Sequence, residues 1–316
     1  MTSILLYTAW AGPQYGWGSS TGLTLLGAGL ALAVLFVLVE LRAAEPIIPM
    51  RLFRNSIFSV ANLFGFTIGA AMFGAMIFLP VYLQVVDGMS PTRSGLAMLP
   101  MVVGIFTTSI AAGRRMSRTG RYKIYPILGA SIVAVALVGL STLDADTPYW
   151  YAGLAMFLMG LGLGFTMQVL VVVVQNSVDR SDMGTATASV AFFRQMGGSF
   201  GTALFGAILS SRLAVHLADA IRDVPAGTAP EAVGNVDTLA NDVQAIQALP
   251  EPLRELVTGA FSSALHDMFL SAVPVVLVAL AVAFFLKEVP LGTRGDASVP
   301  APAGPVPGQS EVAPRP

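Results

Sequence analysis

The chain has 316 residues, 55% of them hydrophobic and only 11% charged, with a net charge of −1 and a mean hydropathy of +0.74. Soluble domains carry about 25% charged residues, so this composition describes a polytopic membrane protein, and its near-neutral charge offers nothing to nucleic acid. With no cysteine, two histidines (His216 and His266), and no HExxH, Walker, GxSxG or dinucleotide signature, the sequence predicts no enzyme, no metal site and no cofactor.

Residues 1–10 are apolar but too short to span a bilayer, at about 15 Å if helical. They read as the end of a helix whose beginning is missing. A glycine-rich loop follows, with Trp10, Tyr15 and Trp17 suited to a membrane interface. The first full span is expected at about 21–39, closed by Glu40, Arg42 and Glu45 and a stiff Pro46/Pro49 loop. A second runs over about 57–86. There Asn62, Phe66, Gly69, Phe73, Met76 and Pro80 recur at helical spacing and share a face, and Pro80 predicts a kink.

The third span, about 93–112, contains Pro100 and Gly104. It leads into the most basic stretch, 113–123, with five positive charges in eleven residues. Two readings of that stretch stand: an anchor on the cytoplasmic side, or a gating latch. The fourth span, about 124–143, carries neither amide nor charge. The fifth, about 149–175, places Gly153, Gly160, Gly164, Gln168 and Gln175 close to one face, which argues for burial in protein or a cavity lining.

The sixth span, 184–210, buries a charge. Arg194 lies ten residues in from Gly184, roughly 15 Å along the helix and near the middle of a core about 30 Å thick. A charge there costs at least ~2.5 kcal/mol on insertion scales. One reading is a polar site or pathway at mid-membrane; the other is a structural arginine capping carbonyls or snorkelling to the interface. Gly197, Gly198 and Gly201 permit close approach of a neighbouring helix.

Residues 211–265 form the one long polar region, expected as an extracytoplasmic loop with short amphipathic helices at 241–249 and 252–261. It reads as a solvated cap or a ligand-binding domain. The seventh span is about 267–286, with Pro274 inside it. His266 and Asp267 at its outer edge stand as an interfacial pair or a proton relay. The tail, 287–316, carries seven prolines from Pro290 onward and is expected to be disordered.

Basic residues near span ends set the orientation. Arg42, Arg51, Arg54, Arg114, Arg115, Arg118, Arg121, Lys123, Arg180, Lys287 and Arg294 fall on one side, and Arg93, Arg212, Arg222 and Arg254 on the other. The first side is expected to be cytoplasmic, with the long loop outside and the tail inside a cell membrane.

Five stretches, in order, resemble one family: FLPVYLQ at 78–84, SGLAMLP at 94–100, GLGLG at 160–164, FRQMGGSFG at 193–201 and LKEVPL at 286–291. Together they are similar to the C-terminal part of the fourteen-span drug:proton antiporters of the major facilitator superfamily. The resemblance covers nearly the whole chain to about Gly295. It implies an all-α membrane bundle: a truncated helix, one linker span and a cytoplasmic loop over 1–56, then a six-span C-terminal bundle over 57–286. It also implies that the fourth and seventh spans face outward. Gly113, Ser117, Gly120, Arg121 and Lys123 resemble the superfamily's cytoplasmic loop signature, with Ser117 where the family carries an acid.

The implied function is part of a secondary exporter of amphiphilic organic molecules, a drug-efflux antiporter rather than an enzyme. Phe66, Phe73, Met76, Tyr82 and Phe193 would give an adaptable apolar wall, or ordinary helix packing. Asn62, Gln168, Gln175 and Arg194 would supply sparse polar contacts. No expected span holds a carboxylate at depth, so the resemblance places proton coupling in an N-terminal bundle outside the chain. Partners expected are lipid, small amphiphiles, and that bundle or a second copy. The competing reading is a non-transporting scaffold, partner subunit or truncated product.

Overall fold

The computed structural model describes residues 20–43, 48–222, 246 and 249–289. The expected helix end at 1–10, the Trp10/Tyr15/Trp17 belt, most of the 241–249 fragment and the tail beyond Val289 lie outside the described residues. Every regular element among those described is helical. α1 is Ser20–Arg42, followed by a 3-10 turn, Met50–Arg54. Then come α2 (Ser56–Val85), α3 (Pro91–Ala97), α4 (Leu99–Thr119), α5 (Ile124–Ser141) and α6 (Tyr149–Ser177). A second 3-10 turn, Arg180–Asp182, leads to α7 (Met183–Arg222), and α8 is Glu251–Phe284. Counting α3 with α4, six of these segments are long and apolar enough to cross a membrane: α2, α3–α4, α5, α6, α7 with its leading turn, and α8. Large apolar side chains such as Phe106, Val135 and Trp150 stay exposed around them, as lipid-facing surface does.

Local chemistry sets the boundaries. The Asn55 side chain accepts from the Ile57 N–H at 3.0 Å and starts α2. The expected third span is two helices, broken at Met98, because Pro100 has no N–H and its ring crowds the preceding turn. α4 then continues past Ala112 through most of the basic stretch and ends at Gly120, which takes a left-handed φ of 67°. Arg114, Arg115 and Arg118 therefore sit on the last turns of a helix, where the dipole favours cations.

Two helix ends differ from the sequence expectation. α7 does not stop at Ser210 but runs to Arg222, and α8 begins at Glu251. The expected 211–265 loop is thus helical at both ends. The reason is visible in Leu209, Leu213 and Leu217, spaced one turn apart and all buried, so the helix face persists although its other faces turn polar.

Packing is by pairs. α2 lies along α7 and α4 along α6, each pair running parallel; α5 packs on α6, and α8 packs on α5, α2 and α7. Glycines bring the backbones together. A Cβ on Gly197 would collide with the Phe66 carbonyl, one on Gly201 with the Ala70 carbonyl, and one on Gly160 with the Met101 carbonyl. Thr108 and Ser109 of α4 add hydrogen bonds to the Leu161 and Gly164 carbonyls of α6, at 2.8 and 3.2 Å. After α8 the chain is held by Tyr122, whose hydroxyl donates to the Lys287 carbonyl at 2.7 Å and accepts from the Val289 N–H at 2.9 Å.

Candidate functional site

The polar and aromatic residues singled out above converge, in part, on the seam between α2 and α7. Because the two helices are parallel and glycine-lined, their side chains meet level by level. Gly69 sits against the backbone of Arg194, Gly197 against Phe66, and Gly198 against the Phe73 ring. The Phe66 ring lies 6.1 Å from that of Phe200, and Phe193 packs edge-on against Phe53 at 6.0 Å. Phe66, Phe73, Met76 and Phe193 are all half-buried.

Arg194 is the focus of this seam. Its backbone is clamped by Gly69 while its side chain is half-buried, and among the described residues it has neither an ion-pair nor a hydrogen-bond partner. No carbonyl-capping bond is present. A guanidinium offers five donors in a fixed fork, and here they point at nothing within the described chain.

The neighbouring amides divide. Gln175 of α6 donates to the Thr187 hydroxyl of α7 at 3.0 Å and so ties the two helices. Gln168, two turns earlier on α6, is exposed. Gly160 and Gly164 below it bury against α4, so the α6 face passes from helix packing to open surface along its length. Asn62 is only 2% exposed; its amide donates to the Phe58 carbonyl at 2.8 Å, and its Oδ1 has no partner among the described residues. It lies one turn from Gly65, where α2, α6 and α7 meet at Leu170 and Val190.

Tyr82 departs from the expected cavity wall. It is 1% exposed, and its hydroxyl donates to the Asp144 carbonyl at 2.9 Å, fastening the end of α2 to the turn before α6. The cytoplasmic-loop residues are also placed. Gly113 and Ser117 are on α4, joined by a hydrogen bond from the Ser117 hydroxyl to the Gly113 carbonyl at 2.9 Å. Gly120 is the cap, and Arg121 and Lys123 lie in the turn beyond it.

Three features escaped the sequence reading. Arg51 grips Asp182 with both terminal nitrogens, at 2.7 and 2.8 Å, so the turns that lead into α2 and α7 are joined. Asn55 also donates to the Ser177 carbonyl at 2.6 Å, adding the end of α6 to the same junction. At the other end of the bundle His266 and Asp267 are not a pair. His266 contacts the Ser141 carbonyl, whereas Asp267 meets His216 at 3.0 Å and Arg212 at 3.6 Å. Consecutive residues on a helix diverge by about 100°, and that separates them. A lone acid beside a helix start, as at Asp182, was the one available signal.

Comparison with known proteins bears on this arrangement. The family profile described as Major Facilitator Superfamily matches residues 2–202. The chain is similar to an uncharacterized MFS-type transporter of Mycobacterium tuberculosis, 41% identical over 92% of this chain and 41% of that protein. It is similar to the multidrug transporter protein MdtP of Bacillus subtilis, 33% identical over 93% of this chain and 58% of that protein. It is also similar to a tetracycline resistance determinant of Streptomyces rimosus, 31% identical over 95% of this chain and 92% of that protein. The chain thus spans less than two thirds of the mycobacterial and Bacillus relatives.

Proposed function

The chain belongs to the Major Facilitator Superfamily, a family of integral membrane transporters and not of enzymes, and on that premise we propose that it is the C-terminal bundle of a secondary active exporter of amphiphilic organic compounds. It works by proton-coupled antiport together with a second six-span bundle. The observation that carries this reading is the unpartnered Arg194 at mid-span, on a seam flanked by half-buried aromatics. Charges placed so deep face a bundle interior or a water-filled cavity, and sites in transporters of this kind lie near the midplane between two bundles that rock against each other. The names of the relatives, a multidrug transporter and a tetracycline resistance determinant, suit amphiphilic cargo.

Proton coupling fits a second bundle for a chemical reason. Among the described residues the carboxylates of the α2 to α7 segments stand only at segment ends, Asp182 in the turn before α7 and Asp219 in its last turn, and Asp267 of α8 stands level with the end of α5, at the membrane edge. In this reading the basic side, with Arg51, Arg114, Arg115 and Arg118, is cytoplasmic, and the α7–α8 connection is outside a cell membrane. The relative covered over 92% of its length favours a variant, in which two copies of the chain supply both halves.

The test is efflux of a cationic dye from proteoliposomes under a proton gradient, with this chain alone and with a co-expressed six-span N-terminal bundle. Efflux only with the co-expressed bundle supports the reading, and efflux with the chain alone supports the two-copy variant. Absence of gradient-dependent efflux from both preparations overturns both.

A further inference from the structure

Outside the seam just described, charge, cavity and apolar surface also meet at a second place among the described residues. It is the groove between α7 and α8. Two cavities lie end to end along it. One, of about 580 Å³, has apolar walls from Leu204, Ala207, Ile208 and Leu270. The other, of about 530 Å³, is bordered by Glu255, Gly259 and Ser263. His216 lines the second, Arg212 and Asp267 line the first, and the His216–Asp267 contact stands between them.

The level in the bilayer follows from packing. His266, the residue before Asp267, contacts Ser141, the last residue of α5. Asp267 is therefore at the membrane edge, and the apolar cavity runs inward from it along the membrane-crossing parts of α7 and α8. The groove thus reads, from bilayer outward, as apolar cavity, then cation and anion, then polar cavity.

The charged groups are only half used. Asp267 meets His216 through Oδ2 at 3.0 Å, and Arg212 approaches the same oxygen with Nε at 3.6 Å, beyond hydrogen-bond distance. Among the described residues the Arg212 terminal nitrogens and Asp267 Oδ1 have no hydrogen-bond partner, and the Arg212 side chain is 57% exposed. A vacant guanidinium fork beside a vacant carboxylate oxygen complements a zwitterion. An anion alone would meet the repulsion of Asp267 and of Glu255 above it, and a cation alone that of Arg212.

We propose that this groove holds one zwitterionic phospholipid with a primary ammonium headgroup, its phosphate on Arg212, its ammonium on Asp267 and an acyl chain in the cavity lined by Leu204, Ile208 and Leu270. Arginine matches phosphate through parallel N–H donors. The carboxylate distinguishes ammonium from choline, because a trimethylated nitrogen has no N–H to donate. The inference rests on membrane insertion alone and not on transport.

The probes are phosphatidylethanolamine, phosphatidylcholine and phosphatidylglycerol of identical acyl chains, offered in equal amounts to the detergent-purified chain and read by native mass spectrometry. Phosphatidylethanolamine should be retained roughly tenfold over phosphatidylcholine, the worth of one charge-assisted hydrogen bond. Arg212→Gln should lower retention of both, Arg212→Lys should preserve part of it, and Asp267→Asn should erase the preference between them. Leu270→Trp, which fills the acyl cavity at an exposed position, should release lipid while the protein stays monodisperse. Free phosphoethanolamine in excess should not displace the lipid. Equal retention of the three lipids, full retention in Arg212→Gln and Leu270→Trp, or displacement by free phosphoethanolamine would overturn the assignment.

Discussion

Arg51 and Asp182 form a two-pronged ion pair, with Nη2–Oδ1 at 2.7 Å and Nη1–Oδ2 at 2.8 Å, that joins the turn before α2 to the turn before α7. The Asp182 side chain is 8% exposed while that of Arg51 is 63% exposed, so the acid is desolvated and the base holds it from the surface. The parallel α2–α7 pair is thereby clamped at one end and glycine-sealed along its middle.

Removing the exposed partner should strand the buried one. Arg51→Gln is expected to destabilise the bundle by about 1–3 kcal/mol, the penalty of an unsatisfied buried group. Asp182→Asn should cost less, because the residue left behind can turn to water. Thermal unfolding in detergent of both variants and their double mutant measures the coupling. A coupling near zero would mean that the glycine seam alone sets the α2–α7 geometry.

The glycines make an opposite pair of predictions. Gly197→Ala drives a methyl into the Phe66 carbonyl, and backbone cannot yield as a side chain can, so a loss of about 1–3 kcal/mol or a shifted helix is expected. Gly259 of α8 has nothing within 4 Å of where a Cβ would sit. Gly259→Ala should therefore stabilise, by up to about 1 kcal/mol of helix propensity. Unfolding temperatures of opposite sign check both at once.

Asp87, in the turn after α2, gives a pH dependence. Burial pushes its carboxyl above the ordinary carboxylate range. The folded state thus holds the proton more tightly than the unfolded chain. The stabilising contribution is present below the unfolded value, about pH 4, and is lost as pH rises through the folded value. Asp87→Asn should remove that slope and raise stability at neutral pH. A difference between wild type and variant that stays flat with pH contradicts it.

In the exporter reading Arg194 acts as a fork and not only as a charge. Arg194→Gln should lower export by about tenfold or more, the worth of one charge-assisted contact. Arg194→Lys should recover part of it, since the charge remains but the planar donors are lost. Dye efflux at matched protein level in membranes measures both. Full export by Arg194→Gln would return this residue to a packing role.

How much of this was legible in the chain depends on what each residue's neighbours are. The six membrane-crossing segments follow from apolar runs, and the close approach at Gly160, Gly197 and Gly201 follows from small residues one turn apart. The extension of α7 was legible too, in Leu209, Leu213 and Leu217, but Arg212, His216 and Asp219 between them made the stretch look like loop. The break at Met98 needed more weight on Pro100. Pairings across the fold had no local signal. Asp182 finds Arg51 at a separation of 131 residues, and Asp267 finds His216 across 51, while the residue beside Asp267 in sequence points to α5. Tyr82 looked like a cavity aromatic because it shares a helix with Phe66 and Phe73, yet its hydroxyl has its own partner at Asp144.

The central claim is that the Arg194 side of the α2–α7 seam lines a water-filled path. The chain has no cysteine, so single cysteines report cleanly. Arg194→Cys and Val135→Cys, the latter 63% exposed on α5, are placed in this chain assembled with a six-span N-terminal bundle and treated with a charged, membrane-impermeant maleimide. The account predicts labelling at 194, slowed by bound dye, and none at 135, which faces lipid. Inertness at both positions in the folded assembly would contradict it and would place Arg194 in a dry interface.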